Sequence, residues 1–147
     1  MSEVSPGKKN MNIETIEYNN ERLAYIIRKD IEIKGKKFFG RSEDFLQIGY
    51  MRLKKGDTLK PHIHKPQNKV IKKNQEVLYI VAGKMKVTFY NKISQKISEA
   101  ILTDGDLIVL LSGGHGFEFL EGTKMIEIKQ GPYAGRDNDK IILEVNE

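Results

Sequence analysis

His62 and His64 flank Ile63. In an extended chain successive side chains point to opposite faces, so an i, i+2 pair turns both imidazoles to one side and suits two ligands of a single ion. Ile63 then points the other way, and a sheet buried on one face takes either the histidines or the isoleucine inside. Taken alone, a His-x-His pair also serves packing or the surface, and the spacing leaves that reading open. The chain has no cysteine. Disulfides, a thiolate nucleophile and cysteine-bound zinc or iron-sulfur centres are thereby excluded, and any metal must use His, Asp or Glu. The third histidine, His115, and Glu76 complete the chemically informative set.

These side chains need strands to place them. Apolar or β-branched stretches at residues 13–18 and 23–27, separated by Asn19-Asn20, predict an N-terminal hairpin. Alternation then predicts strands at 45–53, 59–64, 77–81, 85–90, 97–102, 107–111, 117–120 and 125–130, with a last short strand at 141–145. Turn signals separate them: Lys54-Lys55-Gly56-Asp57, Gly83-Lys84, Asn91, Asp104-Gly105-Asp106, Gly113-Gly114 and Glu121-Gly122-Thr123. Many short strands without a long helical period predict an all-β, antiparallel sandwich or barrel. At 147 residues the chain suits one domain, with residues 1–10 as a polar tail and residues 131–140 as a loop.

Gly56, five residues, His62-x-His64, then Glu76, six residues, Gly83 resembles the first motif of the cupin superfamily. The stretch Glu76-Val77-Leu78-Tyr79-Ile80-Val81-Ala82-Gly83 is similar to the cupin strand that bears the glutamate, and Gly105-Asp106 followed by His115 resembles the second motif. The resemblance covers roughly residues 45–130 and implies a cupin-type double-stranded β-helix, a jelly-roll barrel. It further implies one divalent transition metal (Fe, Mn, Ni, Co, Cu or Zn) held by His62, His64, Glu76 and His115. Two features depart from the pattern. Eleven residues lie between His64 and Glu76, a longer hairpin than the family's, with Gln67 as the substitute ligand were Glu76 displaced. The family's Pro and Gly before the second-motif histidine fall on Leu110 and Ser112, and Gly113-Gly114 replace that turn chemistry.

The implied activity is that of a metal-dependent cupin enzyme acting on a small polar, anionic or carbohydrate-type molecule by isomerase, lyase or dioxygenase chemistry. Two other readings stand beside it: a metal-free sugar-nucleotide isomerase or epimerase using His115 or His62 as base, and a non-catalytic small-molecule-binding cupin. The net charge is +5, and five lysines (Lys60, Lys65, Lys69, Lys72, Lys73) fall in a stretch with no acidic residue between Asp57 and Glu76. Lys69, Lys72 and Lys73 are expected at the substrate mouth, where they would steer an anion, or else on a solvated hairpin. The stretch lacks the arginines and interleaved aromatics of a nucleic-acid module. Further substrate or site-supporting contacts are assigned to Gln47, Tyr50, Arg52, Phe117, Phe119, Glu127, Lys129, Tyr133 and Arg136, each of which also fits a packing or surface role. No apolar run approaches the roughly 20 residues of a spanning helix. A cytoplasmic homodimer without nucleic-acid or membrane partners is the expectation.

Overall fold

Asn19 and Asn20 both take positive φ (48° and 62°), the conformation that asparagine tolerates best among residues with a Cβ. Their turn joins β1 (Ile13–Tyr18) to β2 (Glu21–Ile27) as an antiparallel hairpin. The computed structural model describes residues 13–145; the expected tail, residues 1–10, lies outside the described residues. Two units make up the chain, one running to Ile31 and resuming at Asn74, the other comprising Glu32–Lys73.

In the first unit, β5 (Glu76–Ala82), β6 (Lys84–Tyr90), β7 (Lys96–Thr103), β8 (Leu107–Leu110), β9 (Gly114–Phe119) and β10 (Lys124–Lys129) follow the opening hairpin. They form a five-stranded sheet in the order β1-β2-β8-β5-β10 and a three-stranded sheet in the order β7-β6-β9, with every pairing antiparallel. Alternation gives each sheet one apolar inner face. Leu23, Ala24, Ile26, Leu78, Ile80, Ile108 and Leu110 from the larger sheet meet Met85, Val87, Phe89 and Leu102 from the smaller in one buried cluster. The expected all-β, antiparallel architecture is observed. None of the sheets closes on itself as a barrel.

Two turns hold this frame together. Asp106, only 3% exposed, accepts hydrogen bonds from the Lys29 and Thr103 backbone N–H groups (3.1 and 2.9 Å) and from Arg28 Nη1 (2.9 Å), tying the end of β2 to the β7–β8 turn. Gly83, between β5 and β6, has φ +107°, and a Cβ there would lie 2.4 Å from the Gly122 carbonyl oxygen. Only glycine fits that backbone approach.

The second unit holds β3 (Gly35–Phe39) and β4 (Ile48–Arg52), paired antiparallel as a two-stranded sheet. β3 was not expected, because Gly35-Lys36-Lys37-Phe38-Phe39 carries no apolar alternation. The strand expected at 59–64 is absent, and the segment is exposed and irregular. Pro61 and Pro66 explain the correction, since each removes a backbone donor from any ladder on which that segment would pair. Residues 141–145 likewise form no strand, and a four-residue helix, α1 (Arg136–Asp139), lies in the expected loop. Among the described residues no helix is long and apolar enough to cross a membrane.

Candidate functional site

Glu76 opens β5 and shares its inner face with Leu78 and Ile80. His115 lies on β9 opposite Phe89, on the inner face of the smaller sheet. The two facing sheets therefore bring a carboxylate and an imidazole together, with Glu76 Oε2 3.5 Å from His115 Nε2. Both side chains are partly buried, at 24% and 29% exposed. The His115 ring stacks on Phe117 at 5.1 Å, which fixes its plane, and Phe117 packs against the buried cluster. Phe119, by contrast, is exposed. Gly113, at φ +71°, makes the turn into β9, and a Cβ there would meet the Tyr90 carbonyl oxygen at 2.7 Å. Gly113 and Gly114 thus lie at the turn between β8 and β9.

His115 holds the Glu76 carboxyl below its ordinary value by hydrogen bonding, burial opposes the shift, and Lys129 and Lys140 act in the same sense as His115. The pair lines an open cleft of about 860 Å³. Glu127 and Lys129 also line it, from the inner face of β10, and Lys129 is the direct cross-strand partner of Glu76. Both had been named from the sequence by their position on the last strand. Sequence reasoning missed Tyr90, Gln130, Asp139 and Lys140, which are among the other polar residues of the lining. Strand alternation puts Tyr90 out of phase with the inward Met85, Val87 and Phe89 and so gave no signal for it; the residues after 130 had no period to reveal them. Acidic and basic side chains are nearly balanced around the cleft.

Tyr133 and Arg136 lie in the segment after β10, and the remaining assigned residues belong to the second unit. His62 and His64 stand with ring centroids 5.1 Å apart on the exposed segment. His62 Nδ1 donates to the Lys60 carbonyl oxygen at 2.9 Å. Lys69, Lys72 and Lys73 are exposed, as is Gln67. Gln47 donates to the Arg41 and Asp44 carbonyl oxygens, and Arg52 pairs with Glu32 at 2.7 Å, so both serve their own loops. Among the described residues neither unit alone gathers three His, Asp or Glu side chains in range of one ion. No known protein family, curated protein or solved structure matches the chain.

Proposed function

We propose that the chain is a cupin-type metalloenzyme that acts on a small polar, anionic or carbohydrate-type molecule in the cleft at Glu76 and His115. The observation that carries the reading is the 3.5 Å approach of Glu76 Oε2 to His115 Nε2 across two facing sheets. Ligand nitrogen and oxygen atoms each lie about 2.0–2.2 Å from a bound transition metal, so two neighbouring donors of one ion stand about 3 Å apart, close to the spacing seen. A carboxylate kept ionised and a half-buried imidazole are the donor types such an ion takes. The residues present therefore fit as two ligands. His62 and His64 enter the proposed ligand set from the sequence pattern. A divalent transition metal bound there would supply Lewis acidity to a substrate oxygen. Around it the chain would orient the substrate with Lys129 and Glu127, and Phe117 would hold the His115 ring in plane.

The winding of the first unit supports a jelly roll. From β5 the chain crosses to the smaller sheet for β6 and β7, returns for β8, crosses again for β9 and returns for β10. The cytoplasmic homodimer belongs to the same proposal, with Ile126 and Ile128 exposed on the edge strand β10 as support for pairing with a second copy. One observation favours a second reading: Glu76 and His115 already form a carboxylate–imidazole pair, the arrangement that orients a general base in a metal-free isomerase or epimerase.

Anaerobic purification without a metal-affinity tag, followed by elemental analysis, separates the two. The proposal expects about one first-row metal ion per chain, lost in His115→Ala and in the His62→Ala/His64→Ala pair. Protein that neither retains nor takes up such an ion overturns it in favour of acid–base chemistry.

A further inference from the structure

A lysine on the inner face of a sheet is rarely there for packing alone. Lys129 has inner-face parity on β10 at a solvent-exposed position, set directly across the ladder from Glu76. Its ammonium group is held from one side by the segment that follows β10. Asp139 Oδ2 accepts at 3.2 Å, Glu127 Oε1 lies at 3.8 Å, and the Tyr133 ring lies beneath the nitrogen at 5.1 Å. The carboxylate of Asp139 thus sits inside the cleft, on the cation nearest the Glu76–His115 pair along the ladder.

The segment that delivers Asp139 is lightly attached. α1 buries no residue, and its first residue has no side-chain cap. Asn138 Nδ2 donates to the Ala134 carbonyl oxygen at 3.2 Å, and Leu143 reaches the Gly114 backbone. Ile141 and Ile142, between those contacts, are 89% and 72% exposed. An exposed or half-exposed ion pair holds such a segment only weakly. A second donor lines the same cleft: Gln130 Nε2 is buried with no hydrogen-bond partner among the described residues, while Gln130 Oε1 accepts from the Gln75 backbone N–H at 2.7 Å. That bond fixes the amide orientation and leaves an N–H group in want of an acceptor.

We propose that Lys129 is the contact for a carboxylate group of the cleft's ligand, with Gln130 as the accompanying donor, and that Asp139 occupies this contact as an internal stand-in which the ligand displaces. The inference rests on the cleft at Glu76 and His115 being the ligand site, and it names the ligand as a carboxylate. Residues 136–145 then act as a strap that opens when an external carboxylate takes the place of Asp139.

The test uses full-length protein dialysed against chelator and titrated with malonate by calorimetry, with phosphate and chloride at matched ionic strength as further arms. Asp139→Asn is expected to bind malonate about two- to fivefold tighter than wild type, the range an exposed ion pair supports. Lys129→Gln is expected to lose binding, and Lys129→Arg, with an unchanged amide spectrum, to keep it. Malonate is expected to speed amide exchange at residues 137–143 in the wild type. Equal affinity of Asp139→Asn and wild type, undiminished binding by Lys129→Gln, or unchanged exchange overturns the proposal. Phosphate binding tighter than malonate through Lys129 overturns the carboxylate assignment. Metal content measured on portions of the same preparations taken before the chelator step reads the metal centre separately, so either claim can fail while the other stands.

Discussion

Asp106→Ala is the substitution whose cost follows most directly from the structure. The carboxylate is 3% exposed and holds two backbone N–H groups, those of Lys29 and Thr103, together with Arg28 Nη1. Removing one partner of a buried ion pair costs about 3–5 kcal/mol, because the other charge is left uncompensated. Here Arg28 keeps its two bonds to Glu14 (3.0 and 2.9 Å), and its side chain is 24% exposed. Part of the charge therefore stays paired. Each N–H group left without an acceptor adds about 1–3 kcal/mol unless water reaches it. Together these place the loss at about 3 kcal/mol or more, a substantial share of the roughly 5–15 kcal/mol that stabilises a domain. Asp106→Asn keeps an acceptor oxygen but not the charge and is expected to cost about 1–2 kcal/mol. Equilibrium urea denaturation measures both, with an unchanged m-value confirming that the native state is intact. A loss below about 1 kcal/mol for the alanine variant, or a larger one for asparagine than for alanine, refutes the reasoning.

Two further predictions concern the frame and the site. Gly83→Ala places a Cβ 2.4 Å from the Gly122 carbonyl oxygen at a φ of +107°. It should lower stability by about 2 kcal/mol or more, beyond the 1–2 kcal/mol cost of the left-handed conformation itself, and a melting temperature equal to wild type contradicts it. The folded-state pKa of Glu76 lies below its ordinary 4.5. The stabilisation it contributes is therefore present above that value and fades as pH falls through the lower folded value. In chelator-treated protein the stability difference between wild type and Glu76→Gln is expected to shrink as pH falls below 4.5, and a difference that stays constant as the pH falls counts against the Glu76–His115 contact.

Alternation made most of the first unit legible. Strands at 77–81, 85–90, 97–102, 107–111 and 125–130 were each expected within a few residues of where they form, because Leu78 and Ile80 on β5 and Met85, Val87 and Phe89 on β6 repeat with a period of two and β8 is a short continuous apolar run. β9 begins at Gly114, three residues before the expected start, since Gly114 and Gly116 contribute no side chain to the pattern. The failure at 59–64 came from weighting Leu59, Ile63 and the histidines above the two prolines beside them. For the site, Glu76 and His115 were singled out in the sequence and stand 3.5 Å apart, and Lys129 and Glu127, picked out by strand parity, line the same cleft. Asp139 was not, because its place depends on where an irregular segment lies in space, and no period in the sequence records that.

The central claim is that Glu76 and His115 share a metal ion. Manganese(II) added to 15N-labelled, chelator-treated protein tests it most directly, because the paramagnetic ion broadens the amide signals nearest to it. The account predicts that at one equivalent the signals around Glu76 at the start of β5 and around His115 on β9 vanish first, and that His115→Ala abolishes the effect. Broadening centred on other acidic residues, or none at one equivalent, would contradict it.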